Sequence, residues 1–370
     1  MDRLVRILIV VVIGCMSVSC VDPFKFDTSL EDRAVIIEGV FTDVSAQEYF
    51  LEFNDMRYFE IKLNWASVVT NTRDEFITGA EVELASDLNE FWDYTEVEPG
   101  IYKLIYPELK ALPGVQYGLI VTLTDGTVFS SAFESLPADS QVGKVSFTEN
   151  AEPQYVFEAG ETVIDVVEGV KVNIEMPEAS GSETNYYRWD FLTTWILEAA
   201  LIPASSPFGL CWITEQYNLD EFRLLEVKDK VATENLFFLP TTGNLEVENG
   251  FSVRIRQLAI SSGYHQFWED LQNQQDQSDL FAPPPYNLPT NLTATADHVD
   301  VYGYFGVGKE TNYIWYLNLR ELSYVPTFSA PCFPVVPGDD IAPYCSNCLR
   351  YEGLKFGAEI TNIQPNWWRP

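Results

Sequence analysis

The sequence predicts an all-β protein of two tandem β-sandwich domains, immunoglobulin-like or transthyretin-like, the second larger and carrying a helical insertion and a Cys- and Pro-rich loop. Three observations predict it. Apolar residues recur with period two in many short runs, the spacing that places them on one face of a half-buried strand. Turn dipeptides such as Pro99-Gly100, Pro113-Gly114 and Asp125-Gly126 separate those runs. Hydrophobic residues make up 46% of the chain and aromatics 14%, which supplies a packed core and argues against disorder.

Residues 1–19 read as a lipoprotein signal peptide. Arg3 and Arg6 form a positive head, Leu4 to Val12 is almost wholly apolar, and Ser19 is the small residue before Cys20. The apolar run is too short to span a hydrocarbon layer of about 30 Å. Cleavage would leave Cys20 as an acylated N-terminus, where two or three chains hold lastingly and one holds weakly. Cys15 is a competing cut site by local pattern. Parity favours Cys20, because lipidation there leaves Cys211, Cys332, Cys345 and Cys348, an even set suited to disulfides in an oxidising compartment. Three pairings are open, and at least one bridge is expected to tie Cys211 to the C-terminal loop. Cys345 and Cys348 form a C-x-x-C without the βαβ context of a redox motif or the second C-x-x-C of a zinc ribbon.

Residues 20–33 read as a tether containing Asp22, Pro23 and Asp27. Residues 34–138 read as the first sandwich. Phe59, Ile61, Leu63 and Trp65 alternate with polar residues, as do Val82 and Leu84, and the run from Tyr117 to Leu123 continues the pattern. Asp125-Gly126 sits at hairpin spacing. Pro137-Ala138-Asp139-Ser140 reads as the linker.

Residues 139–370 read as the second sandwich, with strand patterns around Val170–Ile174, Tyr186–Ile196 and Phe251–Ile260. Val299 to Phe305 and Tyr313 to Leu319 form two further runs. One helix stands out, because Tyr264, Phe267, Trp268 and Leu271 recur at i, i+3, i+4 and i+7 with Ser261 or Ser262 as N-cap. Pro326 to Tyr351 reads as a stapled loop. Trp367 and Trp368 either close over the core or meet a partner or ligand.

The charge is lopsided, with 22 basic against 55 acidic residues and a net charge of −33. Such a surface repels phosphate backbones and excludes nucleic acid as a partner. It also disfavours lying flat on anionic lipid. No H-E-x-x-H, no G-x-S-x-G elbow and no phosphate-cradling glycine loop is present. His265 and His298 read as surface side chains. Asp297 with Asp300, and Asp339-Asp340, lack the spacing of a calcium loop. No catalytic residue, metal or cofactor is assigned, and the protein is not expected to be an enzyme.

The ordered motifs resemble those of a family of Bacteroidota lipoproteins known as a domain of unknown function (four-two-four-nine). They are Cys20-Val-Asp-Pro, Val35-Ile-Ile-Glu-Gly-Val, Gly79-Ala80-Glu-Val-Glu-Leu, Gly100-Ile-Tyr102, Gly114-Val-Gln-Tyr117-Gly-Leu, Asn185-Tyr186-Tyr187-Arg-Trp189, Cys211-Trp212 and Val301-Tyr-Gly303-Tyr-Phe305. The Cys345/Cys348 loop ahead of Trp367-Trp368 completes the set. The resemblance implies an outer-membrane, often surface-exposed accessory lipoprotein encoded near SusC-like TonB-dependent transporters, with such a barrel protein as partner. Asp22 and Asp27 loosely resemble the acidic surface-export signal of such proteins. It implies no catalytic residues. A structural subunit of an envelope assembly or secretion complex, and a surface hydrolase acting on glycans or peptides, are the alternative readings.

Overall fold

The computed structural model describes residues 34–369 apart from 54–58, 66–74, 159, 181–182, 217–221, 277–287, 297–298, 329–331, 333–340 and 356. The signal peptide, Cys20 and the tether lie outside the described residues, as do His298, Asp297 and Asp339-Asp340.

In chain order the first part contains β1 (Val35–Thr42), α1 (Ala46–Phe53), β2 (Glu60–Trp65), β3 (Glu75–Phe76), β4 (Glu81–Ser86), β5 (Phe91–Glu98), β6 (Ile101–Leu104), β7 (Gln116–Thr122), β8 (Val128–Ser131) and β9 (Glu134–Ser135). Then come β10 (Lys144–Glu158), β11 (Glu161–Met176), β12 (Asn185–Glu198), β13 (Leu210–Gln216), β14 (Arg223–Val227), β15 (Ala232–Pro240), α2 (Leu245–Glu248) and β16 (Phe251–Ile260). The chain closes with α3 (Ser262–Asp276), β17 (Leu292–Ala294), β18 (Val301–Leu317), short 3-10 turns and β19 (Glu359–Thr361).

Among the described residues the fold is almost entirely β. Sixteen strands join one sheet along the path β17-β8-β7-β4-β5-β6-β2-β1-β18-β16-β12-β13-β19, with β3, β9 and β14 off that path, and β10, β11 and β15 form a second sheet. The two aromatic runs expected as separate strands are one. Val301 to Gly308 of β18 pairs parallel with β1, and Lys309 to Leu317 pairs antiparallel with β16. β18 therefore serves two cores. Ile37, Leu63, Leu84, Leu119 and Phe129 meet Phe305 and Val307 in the first. In the second, Trp189, Trp195, Val253 and Ile255 of the large sheet face Val172, Ile174 and Phe237 of the small one across a sandwich interior.

Glycines let β18 be approached closely. A Cβ on Gly303, whose φ is +98°, would lie 2.0 Å from the Ile37 carbonyl oxygen. A Cβ on Gly306 would lie 2.3 Å from the Tyr264 ring of α3. The helix settles into that space, with Tyr264 and Phe267 packed on Leu258, Ile260 and Tyr304. Ser261 caps it, its Oγ accepting from the Tyr264 amide at 3.2 Å. α1 is an element the period-two reading did not anticipate. A reciprocal capping box starts it, with the Ser45 amide donating to Glu48 Oε2 at 2.9 Å and the Glu48 amide donating to Ser45 Oγ at 3.1 Å.

Candidate functional site

Side chains alternate across β12, β16 and β18. One face supplies the second core. The other carries Arg188 and Asp190 on β12, Arg254 and Arg256 on β16, and Glu310 and Asn312 on β18. The register sets Asp190 opposite Arg256 and Arg256 opposite Asn312. A line of alternating charge results. Arg188 Nη2 meets Asp190 Oδ1 at 2.6 Å, Arg256 Nη1 meets Asp190 Oδ2 at 3.7 Å, and Arg256 Nη2 meets Glu310 Oε2 at 2.8 Å. Asn312 Nδ2 donates to Glu310 Oε1 at 2.9 Å, and the Glu310 amide donates to Asp43 Oδ1 at 2.8 Å.

This charged face is covered, which is why all ten residues of β16 are buried. α1 and the C-terminal tail cover one part. The Arg254 guanidinium lies 4.7 Å from the Phe53 ring centre, 5.4 Å from Tyr49 and 5.8 Å from Trp367, distances at which the cation is attracted to each ring face. α3 covers another part, with Arg188 stacked 3.7 Å over Trp268 and 5.1 Å from Phe222. Burial pulls the pKa of the Arg256 guanidinium down, but Glu310 and Asp190 outweigh it and the net shift is upward. Burial raises the Asp43 carboxyl above its ordinary value, and the Glu310 amide offsets part of that.

Beside α1 the tail leaves a cleft of about 440 Å³ lined by Leu51, Glu52, Ile314, Tyr316, Asn366, Trp367 and Arg369. Tyr316 holds the tail in place. Its hydroxyl donates to the Trp367 carbonyl at 3.1 Å and accepts from the Arg369 amide at 2.8 Å. The two tryptophans are placed differently. Trp368 is buried edge-on against Tyr316, while Trp367 is half-buried and lines the cleft.

The cysteines fall into one of the three open pairings, Cys211–Cys348 and Cys332–Cys345. Cys211–Cys348 fastens the late loop to β13, and Cys332–Cys345 closes that loop on itself. Lys355 adds an ionic clasp there, at 2.8 Å from Glu215 and 3.0 Å from Glu246.

His265 is a correction. It is 8% exposed rather than a surface side chain, because α3 lies against β12 and β14 as well as β18. Its ring packs on Tyr186 at 5.0 Å, and its Nε2 has no hydrogen-bond partner. Burial holds its pKa below the ordinary value despite Glu269 and Glu226 nearby. Asp300 is exposed, and its carbonyl accepts from the Val35 amide. Among the described residues no three His, Cys, Asp or Glu side chains converge where a metal could sit.

The charged line was missed by sequence reasoning. Its signal was Arg-x-Asp in Arg188-Trp-Asp190 and Arg-x-Arg in Arg254-Ile-Arg256, charges at alternate positions of otherwise apolar strands. Chemically the arrangement offers a fixed line of ion pairs through Arg188, Asp190, Arg256 and Glu310, Arg254 set among aromatic rings, and a cleft lined in part by Tyr316 and Trp367. It assigns no reacting nucleophile.

No curated protein and no solved structure matches the chain. Residues 21–314 match the family model described as Domain of unknown function (DUF4249). Since the match covers most of the chain, from the first core through the buried ion pairs and into β18, the chain belongs to the DUF4249 family.

Proposed function

We propose that the protein is a non-enzymatic outer-membrane lipoprotein, acylated at Cys20 and facing the cell surface, that serves as an accessory or ligand-binding subunit of a SusC-like TonB-dependent transporter. The observation that carries this reading is the N-terminal segment in which a basic head, an apolar run and Ser19 lead to Cys20. Residues 20–33 then form a tether whose reach is at most about 50 Å, at roughly 3.3–3.6 Å per extended residue. Family membership supports the reading, since members of this family are encoded near SusC-like barrels. The sandwiches expected over 34–138 and 139–370 ride the tether together in this reading, because β18 contributes to both cores.

The test replaces Cys20 with Ala and follows incorporation of labelled palmitate, membrane fractionation and protease accessibility on intact cells. The wild type should take up label, sediment with the outer membrane and be shaved from outside. A tagged wild type should co-isolate a transporter barrel from detergent-solubilised outer membranes. Equal labelling of C20A, or isolation of the wild type without any barrel, would refute the reading.

A further inference from the structure

β10 and β11 form a hairpin much longer than the body beneath it. β15 covers β11 only from Gly169 to Met176, while the hairpin register runs on from Glu152↔Val167 to Glu158↔Glu161. A two-stranded ribbon therefore projects about 20 Å, at roughly 3.3–3.4 Å per residue. Side-chain alternation shows that one face has lost its cover. At the base, Phe147↔Val172 and Val145↔Ile174 point into the second core. Further out, the same face continues as Pro153↔Val166 and Tyr155↔Ile164. There Tyr155 is 81%, Ile164 66% and Val166 62% exposed. A bare two-stranded ribbon is marginal in water, and an apolar stripe on it marks a contact surface.

Charge and position narrow the occupant. Between Glu152 and Glu168 the sequence has no Lys or Arg; Glu152 pairs with Lys171, leaving exposed Glu161, Asp165 and Glu168 on the arm. A second copy would bring like charges together, on a chain of net charge −33. Lipid is disfavoured by the same carboxylates. Gly143, just before the hairpin, and Phe147 and Glu149 of its first strand meet Tyr313, Trp315 and Ser323 in turn. The ribbon thus leaves the body past the C-terminal end of β18, whereas the tether enters at Val35, beside the N-terminal end.

We infer that the ribbon of residues 152–158 and 160–168 is a gripping arm whose apolar face, Pro153, Tyr155, Ile164 and Val166, seats on an apolar, basic-rimmed surface of the extramembrane part of the barrel partner. This rests on the transporter-accessory reading above.

The test places the photo-crosslinker p-benzoylphenylalanine at Tyr155, Ile164 or, as control, exposed Leu88 in living cells, with mass-spectrometric identification of products. Positions 155 and 164 should cross-link to the transporter barrel, and position 88 should not. I164D and E168K, the latter on the same face as Ile164 and Val166, should each lower barrel co-isolation with the tagged, full-length protein at least tenfold, while I164V leaves it unchanged. Circular dichroism should show all variants folded. Cross-links from 88 alone, cross-linked homodimers, lipid adducts or undiminished barrel recovery with I164D would overturn the arm. If the wild type recovers a barrel and the arm variants do so equally, the arm fails and the accessory reading stands. If the wild type recovers none, the accessory reading itself has failed.

Discussion

Arg256 and Glu310 meet at 2.8 Å across adjacent strands, with side chains 3% and 0% exposed. A pair this buried is a poor source of net stability but a costly one to break. Losing one partner strands a charge, at about 3–5 kcal/mol, while replacing both with apolar groups is often neutral. R256M and E310L should each lower the urea midpoint strongly. The double variant should recover much of the loss, because Asp190 keeps Arg188. Equilibrium unfolding of the three variants reads this directly, and additive losses would count against it.

The two disulfides should not be equal. Cys211–Cys348 spans a sequence separation of 137 and Cys332–Cys345 one of 13. On the chain-entropy account a loop of about 100 residues is worth about 4.7 kcal/mol and one of about 15 residues about 3 kcal/mol. The C211S/C348S variant should therefore melt lower than C332S/C345S, and reductant should lower the wild-type Tm. Differential scanning calorimetry of each pair variant, kept as a pair to avoid a stray thiol, checks the ranking.

His265 should make stability fall with mild acid. Its folded-state pKa is depressed by burial, so below the ordinary value near 6.5 the unfolded chain binds a proton that the folded chain refuses. The unfolded state then holds more protons, and stability drops as pH goes from about 7 toward 5. Above the unfolded pKa the contribution is fully present. H265F should flatten that part of the Tm-against-pH curve, and an imidazole resonance that titrates normally in the native protein would contradict the prediction.

Gly303→Ala should loosen the junction between β1 and β18. Its Cβ would collide with the Ile37 carbonyl at a φ of +98°, and left-handed strain alone costs on the order of 1–3 kcal/mol. The loss should appear as faster amide exchange at Ile37 and its neighbours, with the second sandwich protected. Gly126→Ala, with no atom within 4 Å of the new methyl, serves as the comparison for φ alone.

The strands were legible where one face meets water. β2 alternates, as do Val82–Leu84 of β4 and Leu119–Thr122 of β7, and the Asp125-Gly126 hairpin turn sits between β7 and β8, with the Thr127 amide donating to Asp125 Oδ1 at 2.9 Å. α3 was legible because its aromatics keep helical spacing. α1 was not, although Ser45-x-x-Glu48 announces a capping box, because eight residues between alternating strands give little periodicity. β18 read as two runs because its polar and glycine positions interrupt the apolar pattern just where its neighbours change. The covered charges of Arg188, Asp190, Arg256 and Glu310 escaped notice for another reason. Charged residues on a strand face ordinarily signal water, and only the tertiary fold reveals that α1, α3 and the tail lie over them.

The sharing of β18 bears on how the chain can be made. Polypeptides emerge N-terminus first, yet the wall formed by Phe305 and Val307 is among the last parts of the first core to arrive. Until then β1 waits with one flank open, the kind of strand that invites wrong partners. A truncation before Val301 would leave that flank permanently bare, so the N-terminal part of the chain should aggregate when expressed alone and become soluble when a peptide spanning Val301–Leu317 is supplied.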